Sequence, residues 1–197
     1  MPPAGNADTV PDVLHPTSSP RPEIIPHAEG VSDDEFRAAM SRLPAGVVLV
    51  TAHDPDDGPD GEDAGMTATA FMSVSLDPKL VVLSVREGSR MDELLEQVPL
   101  WAVSVLAETQ RQTAGRFAMK GRLGDRLLFQ DLGYERGDAS GAPLIDGALA
   151  LLECRTEQRV PAGDHTLVIG RVLTARTPAV QAGPLAYYRG RYRRLDR

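Results

Sequence analysis

The sequence predicts a mainly β chain with a few helices, folded as a small antiparallel barrel. Short apolar runs of strand length recur at Val47 to Thr51, Leu80 to Val85, Leu100 to Val105, Ala148 to Glu157 and Thr166 to Ala175. They do not alternate strictly with helical patterns, as a doubly wound parallel sheet requires. No Gly-x-Gly-x-x-Gly is present, so the dinucleotide fingerprint of that architecture is missing as well.

Residues 1–30 hold seven of the 16 prolines and few large apolar side chains, too little to offset the entropy of ordering. They are expected to form a flexible or surface-draped tail ahead of one domain over 31–197. A helix should start near Ser32, where Ser32-Asp33-Asp34-Glu35 has the capping-box pattern and acids favour the positive helix end, and it should stop before Pro44. After the strand at Val47, the acidic, Gly-rich run Asp54 to Gly65 reads as a solvated hairpin tip. Its loose echo of a calcium loop fails at position 12, where Gly65 replaces a bidentate Glu, and no metal is expected. Ser89-Arg90-Met91-Asp92 caps a short helix, Glu108 to Met119 reads as another, and a short basic tail closes the chain.

Composition narrows the function. The 197 residues are 42% hydrophobic and 25% charged, ordinary for one globular domain. A net charge of −7 argues against a general nucleic-acid or anionic-membrane surface. No apolar run approaches a membrane span and no signal-peptide pattern is visible, so a cytoplasmic location is expected. Cys154 is the single cysteine, reads as a buried core residue and can form no internal disulfide. Gly-x-Ser-x-Gly, His-Glu-x-x-His and Cys-x-x-Cys are absent, and neither lysine follows a glycine as a phosphate loop requires.

The most informative segment is Gly65 to Pro78. Read as one strand, it places Met66, Ala68, Ala70, Met72, Val74 and Leu76 on a core face, and Thr67, Thr69, Ser73 and Ser75 around Phe71 on the other. The second face is either an ordinary exposed strand surface or a bed of small hydroxyls for a flat polar ligand. The order Gly-Met-Thr-Ala-x-Ala-Phe-x-Ser-Val-Ser-Leu-Asp-Pro resembles the flavin-binding segment of the flavin reductase family, small NAD(P)H:flavin oxidoreductases. Phe36 to Met40 with Leu43 to Thr51, Arg116-Phe117-Ala118, Gly147 to Cys154, Gly163 to Val172 and Tyr187 to Tyr192 are similar to that family in the same order, so the likeness runs over about 34–195. Lys79, where many members have a second proline, and the variant turn from Lys120 to Leu128 depart from it.

The resemblance implies a split-barrel FMN-binding fold, usually a homodimer, that passes hydride from NADH or NADPH to FMN or FAD. It implies flavin contacts at Thr67, Ala68, Thr69, Ala70, Ser73, Val74, Ser75, Ser84, Val85, Arg86, Ser89 and Arg90. Arg86 and Arg90 flank the Gly88-Ser89 turn that opens a helix, which suits a flavin phosphate; the alternative is a capped helix with solvated arginines. Phe117 fits either the flavin ring or a helix core position. His165, in Gly163-Asp164-His165-Thr166, is similar to a family histidine near the nicotinamide and is assigned to positioning, since hydride transfer needs no obligatory acid or base on the donor side. Tyr188, Arg189, Arg191 and Tyr192 either close over the pyridine nucleotide or form a basic tail. The implied partner is a separate monooxygenase fed by diffusible reduced flavin. A flavin-retaining oxidase or oxygenase of the same barrel type and a non-catalytic flavin-binding protein are the competing readings.

Overall fold

The computed structural model describes residues 30–57, 61–119 and 125–195, without the side chains of residues 125 and 126. The Pro-rich tail lies outside them up to residue 29. The fold is mostly β. In chain order the elements are α1 (Asp33–Met40), β1 (Ala45–Gly46), β2 (Val48–Asp54), β3 (Glu62–Ala68), β4 (Phe71–Leu76), β5 (Lys79–Arg86), α2 (Arg90–Gln97), β6 (Leu100–Val105) and α3 (Arg111–Ala118). There follow α4 (Asp125–Phe129), β7 (Tyr134–Arg136), β8 (Pro143–Ile145), β9 (Ala150–Ala162), β10 (His165–Arg176), β11 (Leu185–Tyr188) and β12 (Arg191–Arg194).

Helix α1 starts where the capping box predicts. Glu35 N–H donates to Ser32 Oγ at 3.3 Å, and Ser32 N–H returns to Glu35 Oε2 at 3.0 Å. No residue of α1 is buried, and Phe36 and Met40 are exposed.

Seven strands form one antiparallel sheet in the order β3-β2-β6-β9-β10-β5-β4. Consecutive strands β3 and β4 are therefore its two edges, and only Thr69 and Ala70 join them. So short a link requires the sheet to curl until its edges meet at that point. Inside the curl, Val50, Leu83, Trp101, Val103, Cys154 and Val168 pack with Leu94 and Leu95 of α2. A second core outside it holds Val47, Leu49, Phe117, Phe129 and Leu185. Strand β2 feeds both, with Val48, Val50 and Ala52 on one side and Leu49 on the other. Burial on both faces is why this run carries no polar alternation.

Four expectations need correction. The expected single strand from Gly65 to Pro78 is two strands broken at Thr69-Ala70. Beyond the break, Met72, Val74 and Leu76, expected in the core, are 62%, 53% and 86% exposed, while Phe71, expected on the ligand face, packs on the core. The crossover from one edge to the other resets the phase, and a bulge between Ser73 and Ser75 shifts it again. The expected helix Glu108 to Met119 is a 3-10 turn (Glu108–Gln110) leading into α3. The expected basic tail is the hairpin β11–β12, which pairs with β1 as a separate small sheet. The hairpin tip between β2 and β3 is also shorter than expected, because β2 runs to Asp54 and β3 begins at Glu62.

Among the described residues, the buried side-chain polar atoms are matched except for Arg159 Nη1. Glu153, only 3% exposed, accepts from Ala139 N–H at 2.9 Å, Ser140 N–H at 2.8 Å, Ser140 Oγ at 2.9 Å and Thr174 Oγ1 at 2.7 Å. Burial alone would raise its pKa, but these hydrogen bonds outweigh it and hold the carboxyl below its ordinary value. His53 Nδ1 lies 2.9 Å from Asp63 Oδ1, and Arg136 forks onto the same carboxylate, tying β7 to the β2–β3 hairpin. Cys154 is fully buried, and burial first, with Glu153 nearby, pushes its thiol up to about 12.

Candidate functional site

Strand β5 alternates cleanly: Val81, Leu83 and Val85 point into the core, and Ser84 and Arg86 point out. Ser84 N–H donates to Ala70 O at 3.0 Å, which fixes the crossover against β5. Arg86 stands opposite His165 in the β5–β10 ladder, and Glu87 N–H reaches Asp164 O at 3.1 Å. Gly88, at φ +67, turns the chain into Ser89, whose Oγ accepts Asp92 N–H at 3.3 Å as the cap of α2. One end of the sheet thus gathers Ala70, Ser84, Arg86, Ser89, Arg90 and His165. Val85 belongs to the core and offers only backbone there.

Arg90 is not a solvated arginine. Its Nη2 lies 3.3 Å from Asp54 Oδ2 and 3.0 Å from Asp57 Oδ2, so the acidic hairpin weighed as a calcium loop is bound to a guanidinium at the start of α2. Beneath this turn Arg159 Nη2 donates to Asp92 Oδ1 at 2.6 Å, and Asp92 Oδ2 accepts Gly88 N–H at 3.0 Å. Arg159 Nη1 is buried with no hydrogen-bond partner among the described residues. A second half-buried cation beside a capped helix start fits a phosphate-bearing flavin. Its separation from Asp92 in sequence gave no signal of the pairing.

His165 sits at the turn between β9 and β10, with Nδ1 2.8 Å from Asp164 Oδ1. That hydrogen bond first, then the charge of His165 and more weakly that of Arg86, holds the exposed Asp164 below its ordinary value.

The hydroxyl-bearing segment divides. Thr67 Oγ1 donates to Ala114 O of α3 at 2.7 Å, and a Cβ at Gly65 would come within 2.8 Å of the Phe117 ring, so α3 covers that stretch. Ala68 is core. Thr69, Ala70, Ser73 and Val74 are exposed, and Ser75 is half-buried. Phe117 takes the packing role: it is buried and meets Phe129 edge-on at 5.1 Å, which removes its ring as a flavin contact.

In the C-terminal hairpin, Tyr187 stands opposite Tyr192 with ring centroids 5.4 Å apart. Arg189, at φ 49 in the turn, lies over Tyr188 at 5.3 Å. Arg191 and Tyr192 line a cleft against α3, whereas Tyr188, Arg189 and His165 do not. The residues expected around the nicotinamide therefore fall into separate groups.

The model of the flavin reductase like domain family matches residues 40–196, most of the chain. The chain belongs to the flavin reductase like domain family. An NADH-dependent FAD reductase of Streptomyces globisporus is 38% identical over 177 residues, covering 88% of this chain and 93% of that protein. An NADH:FMN oxidoreductase of Rhodococcus erythropolis is 36% identical over 198 residues, covering 98% and 95%. Among solved structures, BorF, the flavin reductase component of a bacterial two-component tryptophan halogenase, superposes with a TM-score of 0.75 at 37% identity, covering 84% of this chain and all of that one. No helix among the described residues of this flavin reductase like domain is long and apolar enough to cross a membrane.

Proposed function

We propose that this protein is an NADH-dependent flavin reductase that reduces FMN or FAD and releases it to a separate flavin-dependent monooxygenase. The observation that carries the reading is the convergence of Ala70, Ser84, Arg86, Ser89, Arg90 and His165 at one end of the sheet. Relatives of similar identity are named for FAD in one case and FMN in another, so both flavins are substrates in this reading.

Bound together, nicotinamide and flavin supply the hydride chemistry, and the protein's task is to stack the rings and carry their charge. Arg86, Arg90 and the start of α2 hold the flavin phosphate, with Arg159 fixing the turn through Asp92. The exposed backbone and hydroxyls of 69–70 and 73–75 offer hydrogen bonds to the flavin ring. His165 orients the nicotinamide. The edges drawn together at 69–70 make the split barrel of the family. The exposed Met72 and Leu76 on edge strand β4 are covered by a second copy in a cytoplasmic homodimer.

Steady-state oxidation of NADH and NADPH with FMN, FAD and riboflavin tests the reading. Flavin-dependent NADH oxidation is expected, and no oxidation with any pair overturns it. Hydroxylation by an added monooxygenase across a dialysis membrane is expected for diffusible flavin; product formed only on direct mixing overturns that delivery route.

A further inference from the structure

Half of the described arginines of this acidic protein are matched to carboxylates, whereas Arg42 and Arg86, which lie apart from one another, meet none among the described residues. Arg37, Arg90, Arg136, Arg159, Arg171 and Arg176 each meet a carboxylate. Arg111, Arg191 and Arg193 also have no hydrogen bond or ion pair among the described residues, and these three lie together. Arg194 has one, with Nε 3.6 Å from Glu108 Oε2. In a chain of net charge −7, carboxylates are plentiful, so three unpaired guanidinium groups in one place are a feature to be explained.

All four arginines line two adjoining clefts between α3 with its preceding 3-10 turn and the hairpin β11–β12. The clefts measure about 280 and 380 Å³ and share Arg111 and Tyr192. Together they fall in the size range of small-ligand sites, and a concave site favours a compact ligand over a long polymer. Tyr187, partly exposed beside Tyr192, adds an aromatic surface to the same walls. The position matters as well. Gly115 lines the smaller cleft, and the adjacent Ala114 takes the hydrogen bond from Thr67 that joins α3 to β3. Two residues beyond Thr67 the chain enters the exposed crossover of the candidate flavin end. One helix therefore separates a basic aromatic cleft from the place proposed for hydride transfer.

We propose that this cleft receives the adenosine diphosphate half of a dinucleotide, with Arg111, Arg191 and Arg193 on the pyrophosphate and Tyr187 against the adenine. Guanidinium groups match phosphate oxygens in pairs, and a tyrosine face accepts a purine. The inference rests on the functional reading above and names what binds beyond its reacting rings. The same half occurs in NADH and in FAD, and the experiment separates the two.

Wild-type protein and an Arg111→Gln/Arg193→Gln variant are titrated calorimetrically with ADP, adenosine and pyrophosphate. ADP should bind the wild type more tightly than either fragment, and the variant should lose at least tenfold of that affinity. ADP binding no tighter than pyrophosphate marks a general anion surface and overturns the proposal. Turnover is then compared for NADH and reduced nicotinamide mononucleotide, and binding is compared for FAD and FMN. A tenfold fall in the advantage of NADH over its mononucleotide assigns the cleft to the nicotinamide substrate; the same fall in the advantage of FAD over FMN assigns it to the flavin. An unchanged advantage in both comparisons overturns the proposal while leaving the reductase reading intact. A wild type that oxidises no reduced nicotinamide overturns the reductase reading itself, and the assignment to a dinucleotide with it.

Discussion

Arg86 of β5 stands directly opposite His165 of β10 in the antiparallel ladder, so a phosphate-sized charge and an imidazole are held on neighbouring strands at one end of the sheet. Their separation is fixed by backbone pairing and not by side-chain contact. Each can be altered without moving the other.

Arg86→Ala is expected to weaken FMN by about tenfold while riboflavin, which lacks the phosphate, changes less than twofold. A hydrogen bond to a charged group is worth about 1.5–3 kcal/mol, so a tenfold loss sits at its lower edge. Fluorescence quenching of the two flavins checks it, and equal losses would place the phosphate elsewhere.

His165→Ala is expected to lower kcat/KM for NADH by about 10- to 100-fold with little change in flavin affinity, because the role proposed for the ring is to orient the donor. A parallel loss of FMN binding would assign His165 to the flavin.

Gly170→Ala is expected to cost about 1–3 kcal/mol by overpacking. A Cβ at this position would lie 2.4 Å from Trp101 Cζ2, and the Trp101 indole is fully buried and donates to Thr156 Oγ1 at 3.2 Å. Urea unfolding measures the loss; a variant as stable as wild type would mean that the indole shifts freely.

Glu153→Gln is expected to destabilise the fold by about 1–3 kcal/mol near neutral pH, since donors that meet a carboxylate would lose part of their acceptor. The folded carboxyl lies below its ordinary value of 4.5. Its contribution is therefore complete above that value and is lost as pH falls through the folded one. The gap between wild type and variant should close in acid, and a gap constant from pH 7 to pH 3 would contradict the assignment.

Leu76→Glu is expected to convert the proposed homodimer to monomer, because it places a charge on the exposed side of edge strand β4. Light scattering at micromolar protein reads the mass; an unchanged dimer would move the interface away from β4.

Where signals are local, the sequence reading and the structure agree. Ser32 and Ser89 announce their helices because a cap is decided within four residues, and the run beginning at Val47 announces a strand buried on both faces. The segment Gly65 to Pro78 misleads because its period-two pattern runs unbroken through Thr69-Ala70, where the chain changes edges of the sheet. Tyr187 to Arg194 hides a hairpin because its arginines read as a solvated tail. Arg90 meeting Asp54 and Arg159 meeting Asp92 depend on the curl of the whole sheet, and no window of sequence contains them. The candidate flavin residues were found through family likeness, whereas Arg111, Arg159 and Arg193 emerge only from the assembled fold.

The two-residue crossover at Thr69-Ala70 also sets the order in which the molecule can be built. Hairpins β2–β3 and β4–β5 close from local contacts as soon as they are made, but β6, β9 and β10 must later insert between them to complete the seven-stranded order. Until residue 176 is available, a nascent chain therefore carries two unfinished strand borders tethered by a hinge of two residues. Such borders recruit strands from other chains, so synthesis of this protein passes through a stage that depends on prompt elongation or on chaperone cover.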